Sequence, residues 1–547
     1  MHRRPAFALP LALALALALP ALVAAAPATA RAQTLAGGSA EGRWFIRGQD
    51  RDHGAVVGFV ELTATRRPNR FQATRVVRRE ARTLHRTRGE AWVDANGRLV
   101  VETRRRRALT FWEVIGVDSA ADAVERRHAV YTAAGPDALQ GTVRDGIGGR
   151  VRGNEALGRN LPDNEVDLLI DGPAYYGALE QAIAQAADHV HFEVFSFFDD
   201  ATGQRIADRL IAARGRGVEV RLIVDGLRDM PGDRLASRLR AGGVEIRRAN
   251  PRGRSILNLF TYGVREAYHD IARDVGLRAD TDPDLEEDSV FHRDHRKLVV
   301  VDGRVGFVGG MNVGDHYMTS WHDIHSRAEG PAVAELQRLF LERWMRHGGS
   351  AAAGGAYFPV RTAPTGTERV RVLETLPGVA HEIKDEYLRR IGGAQRRIWI
   401  ESPYFTDPEV LDALKAAARR GVQVIVIHPA LAVIDQPTGV GTLHESQLNS
   451  LLAAGIDVYA YTPRMCHGKV AIVDDDWATV GTANLDTYSL ERNLEVNLFV
   501  DDVRFVDEMA VRVFQTDLAQ STRRTPRRPS FFQSLYWGLF ELFRTQF

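Results

Sequence analysis

From about residue 160 the chain alternates short apolar runs with amphipathic stretches of helical period. "EVDLLIDG" and "VHFEVFSFF" read as strands, "YYGALEQAIAQAADH" and "GQRIADRLIAARGRG" as helices, and "VEVRLIVDG" as a further strand. This order predicts a mostly parallel sheet covered by helices. The same order returns later as "HEIKDEYLRRIGGAQ", "RRIWIESPYF", "DPEVLDALKAAARRG" and "VQVIVIHP", and the junctions "RGRGVEVRLIV" and "ARRGVQVIVI" align residue by residue. An internal duplication is therefore expected, with "HGGSAAAGG" as a small-residue linker between the copies.

Residues 40 to about 150 have a different texture. Alternating runs such as "AVVGFVELTA", and the Asn96-Gly97 pair inside "GEAWVDANGRLVVET", predict a small β-rich domain with at least one tight hairpin. Its Arg66, Arg67, Arg70, Arg75, Arg78 and Arg79, with the run Arg104 to Arg107, read either as a face for anionic lipid or nucleic acid or as a solvated strand face. The first residues carry His2, Arg3 and Arg4, a long Ala/Leu run, and Ala30-Arg31-Ala32 before Gln33. That pattern is an export signal with a small-residue cleavage site, and Pro10 and Pro20 within it argue for removal over retention as an anchor. The expected organisation is a signal at 1–32, a β-rich domain at 33–158, a first half at 159–346, a linker at 347–366, a second half at 367–520, and a tail at 521–547.

Composition changes this picture in four places. The length of 547 residues with 45% hydrophobic content calls for two or three globular domains. The 71 Lys+Arg balance 70 Asp+Glu, so overall charge points to no polyanionic partner. A single cysteine, Cys466, excludes an intramolecular disulfide, a Cys-rich metal site and a lipid-anchoring cysteine at the signal junction, and it reads as a small, partly buried hydrophobe. Lysine is scarce: only Lys297, Lys384, Lys415 and Lys469 occur, all other cationic side chains being arginine. Ammonium and guanidinium differ in geometry and hydration, so the positions that keep lysine are informative.

Two of the four lysines lie in corresponding places of the duplicated unit. "HRDHRKLVVVDGRVGFVGGMNVGD" aligns with "RMCHGKVAIVDDDWATVGTANLD", and each contains His-x-Lys, four residues, then Asp: His295, Lys297 and Asp302; His467, Lys469 and Asp474. Each continues to a small-residue strand end with an asparagine, Gly309, Gly310 and Asn312 against Gly481, Thr482 and Asn484. Alternate residues of a strand share a face, so each histidine projects with its lysine. Juxtaposed across a pseudo-twofold axis, two imidazoles and two ammonium groups suit a phosphate diester. Lys297, Lys469, Asn312 and Asn484 are candidate donors to the non-bridging oxygens, which needs no metal and no cofactor. One imidazole attacks phosphorus while the other protonates the leaving alcohol and later deprotonates the acceptor. Asp302 and Asp474 complete the motif and are counted with the catalytic set, although their positions read as holding the hairpin.

These residues resemble the paired signature of the phospholipase D superfamily, and the text around them resembles its bacterial cardiolipin synthase branch. The likeness covers about residue 160 to the end and includes "GPAVAELQRLFLERW", "ESPYFTDPEVLDALKAAARRGVQV" and "GTANLDTYSLERNLEVN". It implies a duplicated α/β fold of two mixed sheets flanked by helices. It implies His295 as nucleophile, His467 as acid and base, and two orienting carboxylates, Asp323 for His467 and Glu495 for His295. It implies a phospholipid substrate, with water or an alcohol as acceptor. The chain departs from that family in its single signal-like segment, its β-rich domain, Thr482 where serine is common, and "DTYS" where an arginine often precedes the serine; these leave the acceptor open.

The tail "PSFFQSLYWGLFELFRTQF" places Phe532, Leu535, Tyr536, Leu539, Phe540 and Phe543 on one stripe after Arg523, Arg524, Arg527 and Arg528. It fits either a bilayer interface or the surface of its own domain. The sequence-level expectation is an exported, envelope-associated phosphodiesterase or phosphatidyltransferase working at a membrane surface. A metal-independent periplasmic nuclease of the same superfamily and a catalytically idle lipid-binding module are the rival readings; the oligomeric state is left open.

Overall fold

A computed structural model describes residues within 42–526, with interruptions that are longest at 107–123, 226–233, 250–292 and, but for Tyr357 and Pro359, 351–364. The signal at 1–32, most of the linker, the side chains of the two arginine groups in the β-rich region and the apolar stripe of the tail lie outside the described residues. The main division into compact units falls between Gly158 and Arg159.

The first unit is a closed barrel of eight strands in sequence order, from Gly42–Asp50 to Val151–Gly158. The first strand pairs antiparallel with both the second and the eighth, which leaves no free edge. Strands Arg82–Val93 and Leu99–Arg106 pair antiparallel around the Asn96-Gly97 segment, with Val93 opposite Leu99.

The second unit is α/β and duplicated. In the first copy the central strand His189–Val194 pairs in parallel with Glu219–Asp225 and antiparallel with Lys297–Val301. In the second, Arg397–Glu401 pairs in the same way with Gln423–Pro429 and Val470–Val473. Each parallel crossover runs through one helix, Ala201–Gly215 in one copy and Pro408–Arg419 in the other. Local chemistry sets both helices alike: Asp200 and Asp407 cap their N-termini by accepting amide protons from Gly203 and Val410, and Gly217 and Gly421, just past the C-termini, hold positive φ. The matching "RGRG" and "ARRG" junctions record this shared stop signal.

The two expected mixed sheets are joined as one. The first strand of the first copy, Leu161–Ile170, pairs with the first strand of the second, Glu368–Leu376, through an irregular register, giving a 16-stranded sheet whose strand order reads symmetrically outward from that seam. Neither strand carries a periodic signal that names its partner, because edge pairing is decided by the docking of whole copies. Separate buried clusters fill the copies, one around Phe192, Leu222 and Phe307, the other around Ile398, Val426 and Trp477. Among the described residues, no helix is long and apolar enough to cross a membrane.

Candidate active site

Each motif histidine stands just ahead of a fully buried strand, Lys297–Val301 or Val470–Val473, and each is fixed by the opposite copy. The amide of His295 donates to Leu494 O at 3.0 Å, and the amide of His467 donates to His322 O at 2.7 Å. Both anchoring residues immediately precede a carboxylate. His295 Nδ1 lies 2.9 Å from Glu495 Oε1, and His467 Nδ1 lies 2.6 Å from Asp323 Oδ2. The carboxylates are therefore exchanged between copies. A carboxylate on Nδ1 fixes the ring tautomer with the proton there, which leaves each Nε2 as the reactive nitrogen.

The support of the two carboxylates differs. Glu495 Oε2 accepts the Thr482 hydroxyl, whose oxygen in turn accepts the Val496 amide at 3.0 Å. The position matching Thr482 in the first copy is Gly310, where a Cβ would stand 2.1 Å from Asp323 Oδ1. One copy thus couples a longer carboxylate to a hydroxyl, and the other a shorter, closer carboxylate to a glycine. Thr482 matters to the site through this bond, which its position in the motif did not disclose.

Lys297 Nζ donates to His295 O at 2.5 Å and Lys469 Nζ to His467 O at 2.6 Å, so each ammonium is tethered beside its own histidine. Lys469 Nζ also stands 3.0 Å from His467 Nε2. Burial and, among the neighbouring charges, Lys469 bring Lys297 down to about 7, although Glu495 opposes the fall. Burial brings Lys469 down to about 8 against the pull of Asp323 and Glu495. Burial, then Lys469, Lys297 and His295, push His467 well below the ordinary imidazole value. His295 is lowered as well, by burial first, with Glu495 opposing and Lys297 and Lys469 contributing. Asp323 is pushed up to about 7 by burial, against the pull of Lys469. The two histidines and two lysines therefore act on one another across the copies. The site solvates these positive charges poorly, and an anion bound among them would favour their protonated forms.

The remaining candidates separate. Asp302 accepts the amides of Ala187, Asp188 and His189, and Asp474 those of Gln395, Arg396 and Arg397. Both sit at positive φ in the turn after the motif strand. Counting these two as catalytic is corrected: their oxygens tie the motif turn to the start of the central strand. Asn312 is partly committed, its Oδ1 accepting the Ser196 amide at 3.0 Å and its Nδ2 donating one proton to Tyr317 Oη at 2.7 Å, which fixes the amide in the site. Asn484 is the asymmetric case, with a buried Oδ1 that has no hydrogen-bond partner.

Aromatic rings border both imidazoles. Phe195 meets His295 edge-on at 4.8 Å between centroids and lies 5.4 Å from Lys297 Nζ, while Trp321 and Tyr317 stand 5.0 and 5.7 Å from His467. Trp321 was readable only as the neighbour of the "WHD" carboxylate, and Phe195 only as part of an apolar run. Asp486, pushed up to about 7 by burial, lies within the field of Glu495 and Lys469 and had no sequence signal beyond its place in "NLD".

A duplicated α/β sheet presenting two His–Lys pairs, each histidine held by the other copy's carboxylate, defines a phospholipase D-like enzyme. The chain belongs to the family described as cardiolipin synthase, PLD-like domain, whose model matches residues 179–344 and 387–517. It is 32% identical over 384 residues to the major cardiolipin synthase ClsA of Bacillus subtilis (strain 168), covering 66% of this chain and 70% of that relative. It is 30% identical over 374 residues to cardiolipin synthase 1 of Bacillus anthracis, covering 65% of this chain and 66% of the relative. The match thus spans about two thirds of the length of these relatives. The crystal structure of phosphatidylserine synthase from Haemophilus influenzae Rd KW20 shares the fold, with a TM-score of 0.52 at 14% identity over 71% of this chain and 96% of that one.

Proposed function

We propose that the chain is a phospholipid phosphatidyltransferase of cardiolipin synthase type, exported to the envelope and working at a membrane surface through a phosphohistidine. The observation that carries this reading is the exchange of carboxylates, which take both Nδ1 atoms and leave the Nε2 atoms facing away from them, beside the two motif lysines. In the first step the bound phosphodiester anion brings a proton to His467 Nε2, His295 Nε2 forms a bond to phosphorus as the bond to the leaving oxygen breaks, and that oxygen takes the proton from His467 Nε2. In the second, the acceptor hydroxyl gives its proton to His467, its oxygen bonds to phosphorus, and His295 leaves. Lys297 and Lys469 stabilise the charge that gathers on the non-bridging oxygens, which is where fixed cations lower the barrier most. The names of the family and of its curated relatives support a phosphatidyl group as cargo and a glycerol-bearing lipid as acceptor; the signal-like first residues support export.

The test is incubation of the purified chain with phosphatidylglycerol vesicles and, separately, with DNA, chelator present in both. Diphosphatidylglycerol with released glycerol is expected. Phosphatidic acid alone would replace the alcohol acceptor by water, and cut DNA with untouched lipid would overturn the reading. His295→Ala and His467→Ala are each expected to lose at least about a thousandfold in turnover, and acid-quenched labelled lipid should leave phosphate on His295 in the wild-type chain.

A further inference from the structure

The two copies differ most in what lies under their histidines. Beneath His295 the buried carboxylates Glu193 and Asp294 both meet Arg296, and Asp294 also meets Arg343. Beneath His467 the corresponding place holds His322, 4% exposed, where the first network has the uncharged Leu494.

We infer that His322 is a positioning residue: a buried imidazolium clamped between Asp171 and Asp517 that fixes the segment carrying Asp323 and the partner segment carrying His467. The inference rests on the proposed phosphoryl-transfer reading of the site. His322 Nδ1 lies 2.8 Å from Asp171 Oδ1, and Nε2 lies 3.0 Å from Asp517 Oδ2. A neutral imidazole offers one N–H, whereas two ionised carboxylates accept and do not donate, so the geometry calls for a ring protonated on both nitrogens.

The other groups around the ring agree. Asp171 is held ionised, its pKa lowered by His322 and by Arg464 against its own burial, and its second oxygen takes the Arg464 guanidinium. Glu401 Oε1 stands 4.0 Å from Nε2, and neither Glu401 oxygen has a hydrogen-bond partner. Burial, then Asp517, push Glu401 well above the ordinary carboxylate range, so this carboxyl adds little negative charge beside the ring. Tyr461 stacks on the ring at 5.2 Å, and Cys466, its thiol pushed up by burial, remains neutral. Burial alone would lower His322; the hydrogen bonds to Asp171 and Asp517 outweigh it and raise the ring well above its ordinary value. A raised imidazole stabilises below that value and loses its contribution as pH climbs through it.

The clamp reaches the reacting group through the backbone. His322 O takes the His467 amide, Trp321–His322 pairs in parallel with Met465–Cys466, and Arg464 donates to Trp321 O at 3.0 Å. Asp171 donates its amide to Asp323 O at 2.9 Å while its carboxylate faces the Asp323 amide at 3.3 Å, and it holds φ 67 to do so. That left-handed backbone costs about 1 kcal/mol or more for a residue with a Cβ, and is kept where surrounding contacts over-determine it.

The test uses the full chain labelled with nitrogen-15 histidine. The His322 ring, assigned by its loss in His322→Gln, is expected to show two protonated nitrogens at about pH 8, where an ordinary histidine is neutral. In kinetics with phosphatidylglycerol, His322→Gln is expected to lower kcat about tenfold or more with KM within about twofold, and His322→Arg, which restores a permanent charge, to keep kcat within about threefold. A neutral His322 ring at that pH, equal losses in the Arg and Gln variants, or a stoichiometric divalent ion in the purified chain would each overturn the inference. A chain that turns over no phospholipid would remove the functional reading, while the nitrogen spectrum would still decide the protonation state.

Discussion

Binding of a simple phosphodiester should be coupled to proton uptake, because burial holds both motif lysines below their ordinary range. Lys297 titrates at about 7 and Lys469 at about 8, against about 10.4 for an ordinary lysine. At pH 9 the first is protonated roughly one part in a hundred and the second one part in ten; a bound monoanion draws both back to the charged form. Dimethyl phosphate keeps one charge across this range, and both histidines are already depressed, so neither ligand nor imidazole masks the effect above neutrality. Between pH 6 and pH 9 its Kd should therefore rise by about a thousandfold, roughly 4 kcal/mol at 1.36 kcal/mol per unit. Asp323, held at about 7, gains a proton in the same direction and only steepens the curve. Calorimetry in two buffers of different ionisation enthalpy reads the proton uptake directly. A flat Kd with no uptake above neutrality would show that the two ammoniums are not desolvated together, and the electrostatic account of the site would fail with it.

Three further outcomes follow from individual contacts. Thr482→Val should cost about 1–3 kcal/mol in unfolding free energy, because Glu495 Oε2 and the Val496 amide lose their buried partner, while Thr482→Ser should restore both stability and kcat. Gly310→Ala should reduce kcat with less effect on KM, since its Cβ meets Asp323 Oδ1 at 2.1 Å and displaces the carboxylate from His467. Asp302→Ala should lower the melting temperature by removing the acceptor of three amides, about 2–4 kcal/mol, yet leave kcat of the folded fraction within a few-fold, which separates it from His295→Ala.

What the sequence disclosed and what it hid divide along physical lines. The duplication was legible because crossover helices must stop and strands must start, and glycine at 217 and 421 with the following Val-rich runs writes that event twice. The histidines and lysines stood out through spacing and through lysine scarcity. Asp323 and Glu495 came from family resemblance alone, and nothing in the local pattern names their partners, since each meets a ring about 144 or 200 residues away. Asn312 looked equivalent to Asn484, but Tyr317, present on one side only, takes one of its amide protons. The pairing of Leu161–Ile170 with Glu368–Leu376 was hidden because a register between two edges follows from shape. His322 passed without comment inside "WHD": a histidine beside a catalytic-type carboxylate has no signature until the acids around it, at 171, 401 and 517, are brought together by the fold.

The traded carboxylates tie the histories of the two repeats. A substitution in one is felt by the imidazole of the other, so after duplication neither copy was free to drift alone, and a lesion at Asp323 and a lesion at His467 should look alike in any screen. Separated halves would each carry an undirected ring, which makes the joined polypeptide, rather than the repeat, the smallest heritable unit of this activity.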